Sequence, residues 1–205
     1  SYNRGDLASA RAHFTRAIAV DPVDVRAHMM LHGCLQRDAR WAEADRLIRA
    51  IDENAVSGDP IDRMRLAGAL RRAGEIDRAF ALAYDIASQN RDDGSVTGSY
   101  PMLFFMSEAV PHEVAESSAT MEGCWFRLEG IGTSDIEALI STRKVDGVLC
   151  VGPDQPLAKA VLGKKTGEEI NLPANLGIKQ LYKLAEVKHR YVWLLHDIMN
   201  SQKAR

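Results

Sequence analysis

Small and apolar residues recur in the first half of the chain at spacings of 34 and 35 residues. Each set has three members, one per copy: Gly5, Ala39 and Gly74; Ala10, Ala44 and Ala79; Phe14, Ile48 and Ala83; Ala17, Ile51 and Ile86. A small residue lets the chain turn, and an alanine lets two helices approach closely. Pro22 and Pro60 follow, and proline ends a helix because it lacks an N–H donor. The pattern predicts paired antiparallel helices over residues 1–92.

The second half of the chain has shorter patterns. Residues 122–129 alternate Cys124, Phe126 and Leu128 with Trp125 and Arg127, which predicts a strand. Further strands are predicted over 146–151, 169–172 and 179–188, and helices over 134–141, 156–162 and 189–202. Gly163 suits the left-handed position that ends the second of these helices. We therefore expect a small α+β domain.

A polar stretch with two glycines, residues 91–99, separates the two patterns and is typical of a linker. Basic residues are exclusively arginine up to residue 92 and mostly lysine after residue 154, which also indicates two units. We expect helical repeats over 1–92, a linker over 93–109, the α+β domain over 110–188 and a terminal helix over 189–205. The predicted fold class is a multidomain chain, an α-helical superhelix followed by an α+β domain.

Composition excludes several classes of protein. The 205 residues include 26 basic and 28 acidic side chains, so strong direct nucleic-acid binding is not expected. No apolar stretch approaches the ~20 residues that span a bilayer, and we expect no membrane partner. The three cysteines form no CxxC pair, so neither a disulfide framework nor a zinc site is indicated. We expect a cytoplasmic protein without a cofactor.

The repeated segment resembles the tetratricopeptide repeat. The resemblance is carried by Gly5-Asp6-Leu7, Ala10, Phe14, Ala17 and Asp21-Pro22, and by Gly74, Ile76 and Ala79 in a later copy. It implies a superhelix whose groove binds a protein or peptide segment. His28, His32 and Arg63 are the residues that we expect in this groove. His28 and His32 lie one helical turn apart, but without a third ligand, packing or groove polarity is the favoured interpretation over metal binding.

Residues 155–170 are similar to the signature of the C-terminal domain of the bacterial transcript cleavage factors GreA and GreB. The run from Pro156 to Lys164, followed by Gly167-Glu168, carries this similarity, and Trp125-Phe126-Arg127-Leu128-Glu129-Gly130 resembles a preceding strand. The resemblance implies an FKBP-like fold and binding to RNA polymerase. The chain would then be a non-catalytic interaction scaffold with an elongation-factor-like domain. A proline isomerase of the FKBP type is a further alternative.

Repeats stand where the cleavage factors carry an acidic coiled coil, so no transcript cleavage is expected. Repeats followed by this domain also resemble bacterial conflict-system proteins in which a PIN nuclease domain comes next. Residues 189–205 would then be a connector, and the chain the targeting arm of a ribonuclease. Sequence alone leaves both functions open.

Charge is unevenly distributed over the second half. Residues 93–154 have a net charge of −7, and residues 155–205 have a net charge of +5. If folding keeps these segments apart, the domain has an acidic side and a lysine-rich side. The lysines expected to contact a partner are Lys159, Lys164, Lys165, Lys179 and Lys183. Lys179 and Lys183 are four residues apart and should share one face of a strand.

Overall fold

The structure is a computed structural model that describes residues 6–105, 109–111, 114, 119–173 and 179–203. The chain divides into two compact units, Ser1–Pro111 (unit 1) and His112–Arg205 (unit 2). The helices of unit 1 are α1 (Leu7–Val20), α2 (Val25–Arg37), α3 (Trp41–Ala50), α4 (Pro60–Arg72), α5 (Ile76–Gln89), α6 (Gly94–Thr97) and α7 (Met102–Phe105). Helix α2 contacts α1, α3 and α4, and α4 contacts α3 and α5.

The turns after α2 and α4 have the same backbone geometry. Ala39 has a φ of 57° and Gly74 a φ of 86°, both in the left-handed region. In each turn the N–H of this residue donates to the carbonyl three residues earlier, and the next N–H donates to the carbonyl five residues earlier. These two bonds form the Schellman motif that ends many helices. The small residue predicted at this repeat position therefore makes the turn.

Burial in the second and third copies agrees with the predicted repeat register, whereas α1 of the first copy has no fully buried residue. Ala44 and Ala79 are completely buried, as are Ile48 and Ala83 four residues later. Side chains larger than a methyl group would not fit at the two alanines without displacing their neighbours. Pro60 was expected to end a helix but instead begins α4, where its missing N–H would have no helical partner.

Arg78 on α5 holds the end of α3. Its Nε donates to Glu53 Oε2 at 3.0 Å, and its Nη1 donates to the Arg49 carbonyl at 3.1 Å. A further bond reaches the Ile51 carbonyl. The hydrogen bond from Arg78 lowers the pKa of the Glu53 carboxyl, so this ion pair stays charged at neutral pH.

Part of the predicted linker packs against the repeats. Helix α6 contacts α4 and α5, and Val96 and Tyr100 are buried. The rings of Phe80 and Phe104 meet edge to face, with centroids 4.9 Å apart. Residues 93–105 of the segment therefore belong to unit 1 and do not form an exposed connector, while residues 106–108 lie outside the described residues.

Unit 2 is built on a sheet with the strand order β3-β2-β1-β5-β4. Its elements are β1 (Cys124–Gly130), β2 (Ile136–Ile140), β3 (Cys150–Val151), α8 (Pro156–Val161), β4 (Glu169–Pro173), β5 (Lys179–His189) and α9 (Arg190–Lys203). All neighbouring pairs are antiparallel except β2 with β3. The sheet packs against α8 in a hydrophobic core. Its completely buried residues include Phe126, Leu128, Ile140, Val161 and Leu184. The α+β class expected for this unit is confirmed.

Two sequence predictions in unit 2 are wrong. Residues 134–141 were expected to form a helix, but they contain strand β2. Leu139 and Ile140 are both buried because β2 lies between two strands and is covered on both faces, which removes the alternation typical of a strand. Residues 146–151 were expected to form a strand, yet only Cys150–Val151 pairs, and residues 146–148 form a turn and bend.

The later elements of unit 2 match their predictions closely. Helix α8, strands β4 and β5 and helix α9 lie within one or two residues of the predicted bounds. Gly163 has a φ of 78°, the left-handed conformation expected after α8. None of the helices in the described part of the chain is long and apolar enough to cross a membrane.

Candidate functional site

Unit 1 contains a cavity of about 980 Å³ along α2, α4 and residues 99–103. We call it the groove. Four methionines, Met29, Met30, Met64 and Met102, contribute to its lining. Methionine side chains are flexible and polarisable, so such a wall adapts to apolar groups of different shape. The groove therefore offers an apolar surface large enough for several side chains of a ligand.

Equivalent positions of successive repeats line the groove. Residues of α2 and α4 that stand 35 positions apart both contribute: Arg26 and Ile61, Met29 and Met64, Met30 and Arg65, Gly33 and Gly68, and Gln36 and Arg71. Ser99 and Leu103 stand a further 35 positions after Met64 and Gly68. Asp24, Asp59 and Asp93 also cap the three segments in the same way, each accepting a backbone N–H. Residues 93–105 thus take the place of the first helix of a further pair.

Glycine leaves the groove open where α4 lines it. A Cβ atom added to Gly68 would meet only Arg72 Nη1, at 3.7 Å, and the backbone has no positive φ there. Gly33 occupies the equivalent position on α2. Glycine inside a helix costs about 0.5–1 kcal/mol relative to alanine. The absence of side chains at these positions widens the groove despite this cost.

The charged residues of the groove are unevenly engaged. Asp59 accepts the Ile61 N–H at 2.7 Å, and Asp62 accepts from Arg65 Nη1 at 2.7 Å. Among the described residues the lining contains four arginines against these two aspartates. Arg26 and Arg72 are exposed, and neither forms an ion pair with any described residue. The groove therefore carries a net positive charge.

Arg71 and His32 are buried in the groove wall. Arg71 Nη2 donates to the Ala109 carbonyl at 3.4 Å, and burial lowers the pKa of its guanidinium. Burial also lowers the pKa of His32, and nearby Arg72 lowers it further, while Asp45 acts in the opposite direction. His32 is consequently neutral at pH 7, and the positive charge of the wall comes from arginine.

The three residues expected in a groove are placed differently. His32 lines the cavity, whereas His28 and Arg63 are not among its lining residues. The Nε2 atom of His28 lies 2.9 Å from the Pro22 carbonyl, so this ring packs against the preceding turn. Within the described residues no group of three His, Cys, Asp or Glu side chains could hold a metal ion.

The main lining residues were missed at the sequence level. The expectation rested on polar side chains, although four methionines and two glycines also line the groove. The spacing of 35 residues between Met29 and Met64, and between Gly33 and Gly68, was a usable signal. The same spacing that relates the helix contacts therefore also relates the lining positions.

In unit 2, the expected lysines around α8 are exposed to different degrees. Lys159 and Lys165 are exposed, while Lys164 is half-buried and its Nζ lies 3.0 Å from Glu168 Oε2. Glu168 also accepts the Lys165 N–H at 2.8 Å, and these two bonds lower the pKa of its carboxyl. The carbonyl of Lys164 accepts from Thr120, so Lys164 is part of the turn itself. Of these three lysines, Lys159 and Lys165 are therefore the ones exposed enough to contact a partner.

The lysines of β5 lie beside acidic residues. Lys183 is the register partner of Glu129 on β1 and of Glu169 on β4. Lys179 is opposite Pro173, on the same face as Lys183. Because β1 comes from the acidic segment and β5 from the basic one, folding intermixes the two segments. A separate lysine-rich side is therefore not formed along β5.

The chain matches no protein-family model and no curated protein sequence. Among solved structures, a prokaryotic transcription elongation factor GreA/GreB from Nitrosomonas europaea is 18% identical, over 56% of this chain and 94% of that chain, with a TM-score of 0.32. Gfh1 from Thermus aquaticus is 16% identical, over 82% of this chain and 95% of that chain, with a TM-score of 0.32. Gfh1 from Thermus thermophilus is 16% identical, over 80% and 94%, with a TM-score of 0.28. All three TM-scores are low.

Proposed function

We propose that the chain is a non-catalytic interaction scaffold whose helical unit is a tetratricopeptide-like array that holds a segment of a partner protein. The observation that carries this proposal is the groove, an open cavity lined by equivalent positions of successive repeats. Stacked helical repeats present such positions as a continuous surface. The glycines at Gly33 and Gly68 support it further, because they favour an open groove over helix stability.

Filling the groove tests this function directly. A library of random peptides displayed on phage is selected against the full chain, and selected peptides are synthesised with a fluorescent label. Gly68→Trp places a large side chain in the groove without backbone strain, and we expect it to weaken peptide binding at least tenfold. Gly94→Trp is the matched control, since an added Cβ there meets nothing within 4 Å and Gly94 does not line the groove.

The two tryptophan variants should both keep the helical circular dichroism spectrum of the parent chain. Peptides that bind the parent and the Gly68→Trp variant equally well would refute a function of the groove. Failure to select any peptide that binds the parent chain would also count against it.

A second candidate function is binding of RNA polymerase by unit 2. It is supported by the exposed position of Lys159 and Lys165 on and after α8, within the segment 155–170 that resembles the cleavage-factor signature. Charged residues at such a surface mainly increase the association rate with a partner of opposite charge. Lys183 is a weaker candidate because two glutamates flank it.

Reversing the charge of these lysines distinguishes a polymerase-binding surface from lysines that contact only solvent. The double variant Lys159→Glu with Lys165→Glu should bind core bacterial RNA polymerase more weakly in an interferometry titration, and the difference should shrink at high salt. Arg143→Glu with Lys144→Glu makes the same change in net charge outside this segment and should bind as the parent does. No binding by the parent chain would refute the proposal for this unit.

A further inference from the structure

Charge changes along α4, the helix that contributes most to the groove. Asp59 caps its first turn and Asp62 lies in that turn, both are already hydrogen-bonded, and Arg65 is paired with Asp62. Its last turn carries Arg71 and Arg72 and no acidic residue. Along α4 itself the lining therefore changes from hydrogen-bonded aspartates at the first turn to arginines in the last turn.

The basic last turn of α4 adjoins an apolar wall. Arg72 lines the same cavity as Met29 and Met64. A guanidinium binds a carboxylate through two parallel N–H donors, and a methionine wall accepts aliphatic or aromatic side chains. A ligand that matches both features must combine negative charge with bulky apolar groups.

We propose, resting on the groove function above, that the bound segment is acidic and apolar, with bulky side chains against Met29 and Met64 and a carboxylate held by Arg72. The occupant is a segment of another protein. The net positive charge of the lining and the engagement of both lining aspartates provide the charge complementarity. Arg72 is suited to this role because it is exposed at the groove and forms no ion pair with a described residue.

The test uses labelled peptides built from leucine and glutamate with a glycine–serine spacer. Fluorescence anisotropy with the full chain compares this probe with two relatives, one with glutamine in place of glutamate and one with serine in place of leucine. We expect each relative to bind at least tenfold more weakly. Higher salt should weaken the acidic probe and leave the glutamine probe nearly unchanged.

Variants of the chain identify the residue that binds the carboxylate. Arg72→Glu should weaken the acidic probe at least tenfold, and the milder Arg72→Gln should weaken it less, with no effect of either on the glutamine probe. Arg46→Glu is the matched control, because Arg46 is an exposed arginine on α3 that does not line the groove. Equal binding of the acidic probe by the Arg72 variants would overturn the role of Arg72.

The outcomes separate this inference from the groove function. If selected library peptides lose binding with Gly68→Trp but show no preference for acidic residues, the groove function stands and the ligand class is wrong. If Gly68→Trp leaves all binding intact, the groove function itself fails. A dimer of the parent chain in sedimentation velocity that Gly68→Trp dissociates would show that a second copy occupies the groove, and would overturn the inference.

Discussion

Replacing Ala39 with glycine should stabilise unit 1. The residue adopts a φ of 57°, and a left-handed backbone costs an L-residue with a Cβ about 1–2 kcal/mol. Glycine avoids this cost but loses about 0.5–1 kcal/mol more conformational entropy on folding. The methyl group of Ala39 is exposed, so its removal sacrifices no packing. The expected net gain is about 0.5–1 kcal/mol in the free energy of unfolding.

Gly74 provides the opposite substitution at the equivalent position of the next repeat. A Cβ there would meet no atom within 4 Å, so Gly74→Ala changes only the backbone energy. We expect it to lose about 0.5–1 kcal/mol, and the double variant Ala39→Gly with Gly74→Ala to unfold close to the parent.

Urea denaturation followed by far-ultraviolet circular dichroism measures all three variants. A lower unfolding midpoint for Ala39→Gly would show that the backbone of Ala39 is not left-handed. The repeated turn geometry after α2 and α4 would then be wrong.

Three further predictions concern stability. Ala44→Leu should overpack a completely buried position and cost about 1–3 kcal/mol, whereas Ala50→Leu on the exposed side of the same helix should leave the melting temperature nearly unchanged. Arg78→Met removes charged hydrogen bonds to Glu53 and to two carbonyls and should cost about 1.5–3 kcal/mol in urea denaturation, so an unchanged midpoint would contradict the network. The pKa of folded His32 is lowered below 6.5, so the unfolded chain binds the proton first and stability should fall as the pH drops through that value. His32→Gln should flatten this dependence in unfolding midpoints measured across the range, and a parent profile as flat as that of the variant would contradict it.

Sequence reasoning succeeded where one residue type satisfies one geometric demand. Ala44 and Ala79 were identified because only a small side chain fits between close helices, and Gly163 because its backbone is left-handed. These geometric requirements are local, or they recur in each repeat, so they can be recognised from the sequence without knowledge of the whole fold.

Other features depend on tertiary contacts, which the local sequence pattern does not reveal. Ile136, Leu139 and Ile140 fit either a helix or a strand, and only pairing with β1 and β3 decides between them. Residues 93–109 were interpreted as a linker because the stretch 91–99 is polar and contains two glycines. The place of residues 93–105 in the repeat is hard to see in the sequence, because Ser99 and Leu103 differ in type from the equivalent Met64 and Gly68. A groove was expected, but most of its lining residues were missed for a related reason, since Gly33 and Gly68 mark it by having no side chain.

The pairing of β5 has a consequence for the order in which the chain acquires structure during synthesis. Cys124 pairs with His189, and β5 also pairs with β4, so the strand that joins β1 to β4 is the last strand of the sheet to leave the ribosome. Unit 2 must therefore wait for this strand, and until then β1 and β4 each lack the neighbour that β5 provides. The helices of unit 1 contact helices that are near in sequence and can assemble while synthesis continues. A ribosome stalled just before residue 179 would carry a folded unit 1 and an incomplete sheet. The unpaired strand edges of that sheet could then pair with other chains and cause aggregation.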